Sequence, residues 1–251
     1  MPPRLRLALF ALALACIAPA LPRVIGAMPV FGSHPLPYGD IINRLAPVQR
    51  HVTNMVSAVN FDYRGFDTLG EEMMLMVAVT GTAVLLRGHR GESLTALPAT
   101  VPGRRIPPHS EALVLTARWF APLTILFGLY VALHATVTPG GGFQGGVIIA
   151  SALLLLYLGE GYSGWRRFMR TEALDAIEGG GSAAYALAGL APMLTGAEYL
   201  QNTLPPGQLK SLLSGGLMLI LNAGVACAVA GGFGILFVEF LEETRAEDPN
   251  Q

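Results

Sequence analysis

The stretch "HATVTPGGGFQGGVIIASALLLLYL", His134 to Leu158, joins two apolar segments through one proline and five glycines. Glycine-rich turns that open a helix often bind phosphate. However, a P-loop needs a Lys-Ser/Thr pair after its last glycine, and the dinucleotide fingerprint needs a preceding strand. Here Gly146 is followed by Val147 and Ile148, with an apolar segment on both sides. The stretch therefore predicts a tight turn between two membrane helices and argues against a nucleotide site.

The composition of the whole chain also indicates a membrane protein. Of its 251 residues, 52% are hydrophobic and 13% are charged, and this charged share is about half of the roughly 25% found in soluble domains. A transmembrane helix needs about 20 mostly apolar residues. We predict an all-α polytopic protein with about six such helices. The predicted spans are roughly 5–22, 68–87, 112–135, 143–160, 182–200 and 212–241.

Charge and cysteine usage exclude several functions. The net charge is −1, so no basic surface for nucleic acid is expected. Arginines gather in alternate connecting segments, and the positive-inside rule then places both chain ends in the cytoplasm. The two cysteines lie in apolar runs, which supports neither a disulfide framework nor a zinc site. We expect a multi-pass membrane protein with no cofactor, no resident metal and no enzyme activity.

Composition divides the chain into five parts. The first is either a transmembrane helix or a cleavable signal-like segment, because basic residues and a short apolar core suit both. A segment with four prolines and three glycines predicts a cytoplasmic linker between two membrane modules. The parts are the first segment 1–27, a module 28–87 with one span, the linker 88–110, a module 111–243 with four spans, and a polar tail 244–251.

Charged residues crowd the start of the second span, in "NFDYRGFDTLGEE". Thr68 and Glu71 have the spacing of a capping box, which would give the acids a structural role. Asp67 and Glu71 are four residues apart and share a helix face. Acids at membrane depth usually serve a proton or cation path. Both interpretations remain open. Asp62 and Arg64 belong to the same polar entrance.

Polar side chains also gather at the glycine-rich turn that follows the third span. Tyr130 and His134 share a face at the end of the third span, and Thr138 and Gln144 follow. A lone histidine is more often structural, but several groups here could pass a proton or bind a hard cation. The residues that permit a close-packed reversal at membrane depth are Pro139, Gly140, Gly141 and Gly142.

The last span combines an amide with many glycines. Asn222 lies in its middle, where an intramembrane amide forms hydrogen bonds between helices and small residues let helices approach closely. We expect a packing seam there, with a tilt, an overhang or a break near Gly231 and Gly232 because about 30 residues exceed one membrane crossing.

Two long motifs resemble a known family. "HATVTPGGGFQGG", with "LFGLYVALH" before it and "GGFGILFVEFLEE" near the end, resembles the B subunit of multisubunit Na⁺/H⁺ antiporters of the Mrp/Mnh type, over about 106–243. "PVFG" and "FDYRGFDTLGE" resemble the carboxy-terminal module of the large A subunit, over about 28–86. Membrane-bound hydrogenases have that module as a small separate subunit.

The resemblance implies roles for individual residues. Glu71 falls on the family's intramembrane acid, and Asp62, Arg64, Asp67 and Thr68 fall on the polar motif around it. The second motif places His134, Thr138, Pro139, Gly140, Gly141, Gly142, Phe143 and Gln144 on the family's proline-glycine turn. Two positions depart from the family pattern. Thr136 replaces a frequent second histidine, which weakens a two-histidine relay, and Tyr63 replaces a more usual phenylalanine.

The resemblance further implies a subunit that helps to form an ion path but cannot transport alone, since the chain has no intramembrane lysine. The expected ions are H⁺ and Na⁺ or another monovalent cation, with at most transient Na⁺ binding. The expected partners are large A/D-type and small C, E, F and G-type antiporter subunits and the lipid bilayer. A buried carboxylate would alternate between protonation and cation occupancy. The alternatives are an energy-converting hydrogenase-like or other redox complex, a structural adaptor, or a carbon-uptake complex.

Overall fold

The computed structural model is helical throughout the residues that it describes, and those ranges contain no strand. This result confirms the predicted all-α class. The described residues are 3–33, 37–90, 110–168 and 170–246. The predicted linker lies outside these ranges except at 88–90 and 110, and the predicted polar tail lies outside them except at 244–246.

The chain divides into two compact units, Met1–Ile41 and Ile42–Gln251. The first unit contains α1 (Pro3–Ile17) and α2 (Ala20–Gly26), which follow each other closely. Together they provide an apolar stretch, Arg4–Gly26, that is long enough to cross a membrane.

Short helical segments precede the first long helix of the second unit. They are α3 (Tyr38–Gln49), α4 (Met55–Ala58) and a π-helical turn at Val59–Tyr63, and α5 (Gly65–Arg90) follows them. In the π-helical turn the Arg64 N–H donates to the Val59 carbonyl, five residues earlier.

The predicted N-cap at Thr68 is wrong, because α5 already begins at Gly65. Thr68 lies inside the helix and is almost fully buried. Its hydroxyl donates to the Asn60 carbonyl over 2.7 Å. The preceding π-helical turn therefore starts the helix earlier than the capping pattern suggests.

Four more long helices complete the second unit. They are α6 (Glu111–Leu133), α7 (Gly142–Phe168), α8 (Thr171–Leu190) and α9 (Leu217–Ala246), with a 3₁₀ turn at Ala191–Thr195 after α8. A kink interrupts α7 at Gly161, whose φ of +67° favours glycine. α9 runs without interruption, so of the tilt, overhang or break expected from its length, the break near Gly231 does not occur.

Five described segments are long and apolar enough to cross a membrane, which confirms a polytopic protein. The fifth predicted span, 182–200, is misplaced. Its helix is α8, which starts eleven residues earlier at Thr171 and ends at Leu190. Three acids lower the hydropathy of the first half of α8, so apolar residues alone do not indicate this start. The five segments are Arg4–Gly26, Gly65–Arg87, Glu111–Leu133, Gly142–Gly161 and Leu217–Glu242.

α9 is the central helix of the second unit, since α5, α6, α7 and α8 all pack against it. Its side chains Leu221, Val225 and Val229 are fully buried. A helix that is apolar all round is expected in such a position.

Glycines of the turn between α6 and α7, and of the start of α7, allow this close packing. A Cβ added at Gly146 would lie 2.7 Å from the Cβ of Val229 on α9, and one at Gly145 would lie 2.7 Å from the Gly128 carbonyl on α6. Gly142 also faces α9, against Val225. The turn glycines therefore bring α7 against two helices at once, as small residues do in membrane proteins.

The two ends of the second unit differ in chemistry. The turn between α6 and α7 lies at one end, which we call the turn end. At the other end, three ion pairs between side chains that the structure describes join different helices, and we call it the arginine end. The pairs are Arg87 with Glu239, Arg118 with Glu160, and Arg166 with Glu242.

Candidate functional site

Asn54, a residue of the first module, holds the turn between α6 and α7 from one side. The Asn54 amide nitrogen lies 2.7 Å from the Ala135 carbonyl, 3.1 Å from that of Thr138 and 3.2 Å from that of Gly140. Its side-chain oxygen accepts from the N–H groups of Val56 and Ser57 and so caps α4. The first module therefore supplies the side chain that closes the turn of the second module.

Asn222 holds the same turn from the opposite side. Its side-chain oxygen accepts from the Gly142 N–H over 3.0 Å, at the start of α7. Its amide nitrogen donates to the Ser57 hydroxyl and to the Met218 carbonyl. Asn222 is fully buried, so its amide obtains its hydrogen bonds from the protein and not from water. The expected hydrogen bonds between helices are present.

The polar residues of the turn mostly serve the turn itself. Thr138 donates to the His134 carbonyl through its hydroxyl and its backbone N–H. Gln144 and Pro139 are exposed, whereas Gly141 and Gly142 are buried. Hydrogen bonds within the turn thus account for Thr138, one of the polar residues that the sequence singles out here.

His134 is the exception at the turn. It ends α6, and its ring stacks on Tyr130 with a centroid distance of 4.0 Å. The Nδ1 atom is buried without a hydrogen-bond partner. The predicted pairing of Tyr130 and His134 on one face is correct.

The acids at the entrance of α5 fall into two groups. Asp62 is buried and forms an ion pair with Arg50, so its role is structural. Asp67 forms a surface pair with Arg64, and both side chains are more than half exposed. Glu71 lies one turn further along the same outward face and is exposed in this chain. Asp67 and Glu71 thus share a face, as predicted, and it is the outward one.

The inward face of α5 carries an acid that the sequence analysis missed. Glu72 is 1% exposed, and neither of its carboxylate oxygens has a hydrogen-bond partner. It lies between Thr68 and Val79, which are also buried on this face. The spacing of Thr68, Glu72 and Val79 matches one helix face. This periodicity was the signal that could have identified Glu72.

A second buried acid comes from α8. Glu178 is 8% exposed, and its Oε1 atom has no hydrogen-bond partner. Ser182, one turn later on the same face, is 4% exposed, and its hydroxyl is also without a partner. The predicted span beginning at 182 left Glu178 outside the membrane, which explains why the sequence analysis missed it.

Backbone geometry places Glu72 and Glu178 at the same depth. The Tyr185 hydroxyl on α8 donates to the Gly65 carbonyl at the start of α5 over 2.8 Å. Glu72 follows Gly65 by seven residues and Glu178 precedes Tyr185 by seven. At a rise of 1.5 Å per residue, each acid lies about 10.5 Å beyond that hydrogen bond.

The Glu178 carboxylate and a buried side chain of α5 lie against the same glycine of α9. A Cβ added at Gly232 of α9 would lie 3.2 Å from Glu178 Oε1 and 3.2 Å from Val79 Cγ2 of α5. Gly231 lets the α8 backbone approach, since an added Cβ there would lie 2.8 Å from the Leu174 carbonyl. The paired glycines of α9 therefore face Glu178.

The predicted site residues are consequently distributed over three places. Asp67 and Glu71 lie on the outward face of α5, Thr68 lies on its inward face, and His134, Thr138 and Gln144 lie at the turn. Within the described ranges, no three His, Cys, Asp or Glu side chains group together as ligands for a metal ion.

Comparison with known proteins identifies the family. Residues 112–235 match the family described as a domain related to the MnhB subunit of Na⁺/H⁺ antiporters. An uncharacterised protein of Methanocaldococcus jannaschii is 30% identical over 234 residues, which cover 83% of this chain and 85% of that protein. A probable K⁺/H⁺ antiporter A/B subunit of Rhizobium meliloti is 32% identical over 124 residues, or 43% of this chain and 12% of that protein.

Two solved structures have a similar fold. A chain of the membrane-bound sulfane sulfur reductase, an archaeal respiratory membrane complex, is 29% identical with a TM-score of 0.71. The match covers 94% of this chain and 98% of that chain. A chain of the Mrp complex from Dietzia sp. DQ12-45-1b is 23% identical with a TM-score of 0.69, over 100% of this chain and 27% of that chain. This second similarity shows the fold alone.

The family match includes the turn and the Asn222 contact, and it confirms the resemblance drawn from "HATVTPGGGFQGG". The protein is a multi-pass membrane protein with several apolar helices. The chain belongs to the family of membrane proteins that carry a domain related to the MnhB subunit of Na⁺/H⁺ antiporters.

Proposed function

We propose that this chain is a membrane subunit of a multisubunit monovalent cation/proton antiporter, which helps to form the ion path and is not sufficient for transport alone. Family membership relates it to subunits of cation/proton antiporter-like complexes. The relatives are named for different cations, Na⁺ in the family description and K⁺ in the Rhizobium meliloti protein. Our proposal takes Na⁺ as the first cation to test and K⁺ as the second.

The outward position of Glu71 is the observation that carries this proposal. Glu71 lies six residues into α5, about 9 Å along the helix axis, and its side chain is exposed in the isolated chain. A carboxylate facing lipid at this depth is costly, and such groups usually face a protein interior or a water-filled cavity. We infer that another subunit covers this face and that Asp67 and Glu71 line a path at the contact.

This arrangement also fits the partners proposed from the resemblance. Large A/D-type subunits would supply the lysines that this chain lacks inside the membrane, and small C, E, F and G-type subunits would complete the assembly. We propose the bacterial plasma membrane as the location and no enzyme activity for the chain itself. Any Na⁺ would bind transiently as a transported ion.

The test uses the complete set of subunits, expressed in cells that lack their own antiporters. Everted vesicles are energised, and the dissipation of the proton gradient is followed after addition of NaCl or KCl. Glu71→Gln should slow exchange by at least about tenfold, because loss of a positioned proton-transfer group typically costs about 100-fold or more. Normal exchange in a normally assembled Glu71→Gln complex would contradict a role in the path.

One observation favours a second function, that of a membrane subunit in an ion-pumping redox complex. The similar chain of the sulfane sulfur reductase complex is matched over nearly its whole length. In such a complex this chain would not carry electrons, because its two cysteines cannot provide a cluster ligand set. Co-purification of iron–sulfur subunits with the native chain would favour this function over antiport.

A further inference from the structure

The interior between α5, α8 and α9 contains oxygen atoms that no hydrogen bond satisfies. Four of them are fully buried: both carboxylate oxygens of Glu72, Oε1 of Glu178 and the Ser182 hydroxyl oxygen. Buried polar atoms are almost always hydrogen-bonded, and each exception requires an explanation. These four atoms gather in one interior, whereas most polar groups of the turn are satisfied.

The three helices supply no positive charge close to these acids. Along α5, the nearest basic residue after Glu72 is Arg87, fifteen residues or about 22 Å further on, and Arg87 pairs with Glu239. α8 has no basic residue between Thr171 and Leu190, and α9 has no charged residue between Leu217 and Val238. Two unpaired carboxylates in a dry interior are too costly to coexist without a proton or a cation.

The other titratable groups near this interior do not neutralise the charge of the two carboxylates. Glu71 and Asp175 lie beside the two acids in sequence and are exposed, and both add negative charge. The Tyr185 hydroxyl is already donated to the Gly65 carbonyl. Cys227, the one titratable residue on this part of α9, is exposed.

We propose that Glu72 and Glu178, with Ser182, form an intramembrane site that exchanges a proton for a monovalent alkali cation within this chain. The proposal rests on the transport function proposed above and names a site distinct from Glu71 and from the turn. The two carboxylates come from different modules, α5 from the first and α8 from the second. The site therefore exists only when the two modules pack together.

The ligand chemistry suits a small hard cation. Carboxylate and hydroxyl oxygens are the ligands that hard cations prefer, and the two acids and Ser182 offer up to five of them. Each binding event is an exchange: one carboxylic acid loses its proton, and one cation takes the place of that proton beside the resulting carboxylate. The charge of the interior is then unchanged, and one proton is released for each cation bound.

Small residues lie beside Glu178. Gly232 faces Glu178 without a side chain of its own, and the short Ser182 side chain is buried one turn further along α8. Ser182 and Tyr185 continue from Glu178 towards the turn end. The site is therefore about 10.5 Å from the Tyr185–Gly65 hydrogen bond on the turn side.

Proton release from the purified, fully assembled complex tests the site directly. NaCl, KCl or choline chloride is added to the complex in weakly buffered detergent, and the protons released are counted with a pH dye. We expect about one proton per complex with NaCl or KCl beyond the choline control, with a loss of that release in Glu72→Gln and Glu178→Gln. Glu172→Gln, on the exposed side of α8, is the matched control and should release protons normally.

Transport measured on the same variants separates this site from the proposed function. If the wild-type complex exchanges ions and both variants slow exchange at least about tenfold at normal assembly, the site is supported. Normal exchange and normal proton release in both variants would overturn it and leave the proposed function intact. Absence of exchange in the wild type, with proton release that Glu72→Gln abolishes, would overturn the antiport function and retain the site.

A measurement on the wild type covers the case in which the variants do not assemble. The infrared band of protonated carboxyl groups should decrease when NaCl or KCl replaces choline chloride at constant pH. No decrease with either salt would overturn the proposal independently of any substitution.

Discussion

The turn end and the three-helix interior treat buried polar groups in opposite ways. At the turn, Asn54 and Asn222 together satisfy five backbone or side-chain groups of the chain around them. In the interior, Glu72 has no hydrogen-bond partner at all for its carboxylate. A satisfied network rigidifies a fold, whereas an unsatisfied buried charge needs a ligand. The turn therefore supports the structure, and the interior is suited to an ion.

Gly146→Leu should have the largest effect on the turn end. The added side chain would collide with Val229 and the Ala226 carbonyl of α9, and overpacking of this kind costs about 3 kcal/mol. We expect little assembled complex in the membrane, measured by co-purification with partner subunits. Gly179→Leu is the control, because nothing lies within 4 Å of a Cβ at Gly179. Equal assembly of both variants would show that the close approach of Gly146 to α9 is not needed for packing.

Asn222→Ala should have the next largest effect. It removes the acceptor of the Gly142 N–H and the donor to Ser57, and an unsatisfied buried group costs about 2 kcal/mol. We expect reduced resistance to unfolding by SDS in mixed micelles. Gln201→Ala changes an exposed side chain and should unfold like the wild type. Unaltered unfolding of Asn222→Ala would remove Asn222 from the structural role given to it.

Arg87→Gln should destabilise the arginine end by about 1–2 kcal/mol, since it leaves the buried Glu239 carboxylate without this ion pair. The cost is below that of a fully buried pair because the Arg87 side chain is 48% exposed. Adding Glu239→Gln should restore much of the stability in the same unfolding assay. A double variant as unstable as the single one would show that the charge of Glu239 is not the cause.

Asp67→Asn should have the smallest effect on stability. Its pair with Arg64 is more than half exposed, and such pairs contribute less than about 1 kcal/mol. We expect wild-type unfolding, with any loss confined to ion exchange in vesicles. A large loss of stability would show that the outward face of α5 is held by this pair, contrary to our description.

Sequence predicted the fold class because apolar segments of membrane length need little context. It also predicted a hydrogen bond between helices at Asn222, because an amide inside a membrane helix needs a partner. The shared face of Asp67 and Glu71 followed from their four-residue spacing. It failed at α8, where Glu172, Asp175 and Glu178 lower the hydropathy of a helix that packing on α9 stabilises. It failed at Thr68, because the π-helical turn before α5 has no local sequence signal.

The candidate site could be predicted only in part, because the burial of its acids depends on how the helices pack. Glu72 follows Glu71 directly, and only the burial of Thr68 and Val79 on the same face distinguishes the two acids. Identification of Glu178 as a buried acid would have required the correct position of α8. The packing of three helices from two modules decides which acid is buried, and no motif within either module contains that information.

One measurement tests the division between a structural turn and an ion-binding interior most directly. It is the exchange rate per assembled complex in everted vesicles, for Glu72→Gln and Asn222→Ala side by side. We predict that Glu72→Gln assembles normally and loses exchange, while Asn222→Ala assembles poorly and its assembled fraction exchanges at the wild-type rate. A wild-type rate in Glu72→Gln, or a lost rate in the assembled Asn222→Ala complex, would contradict that division.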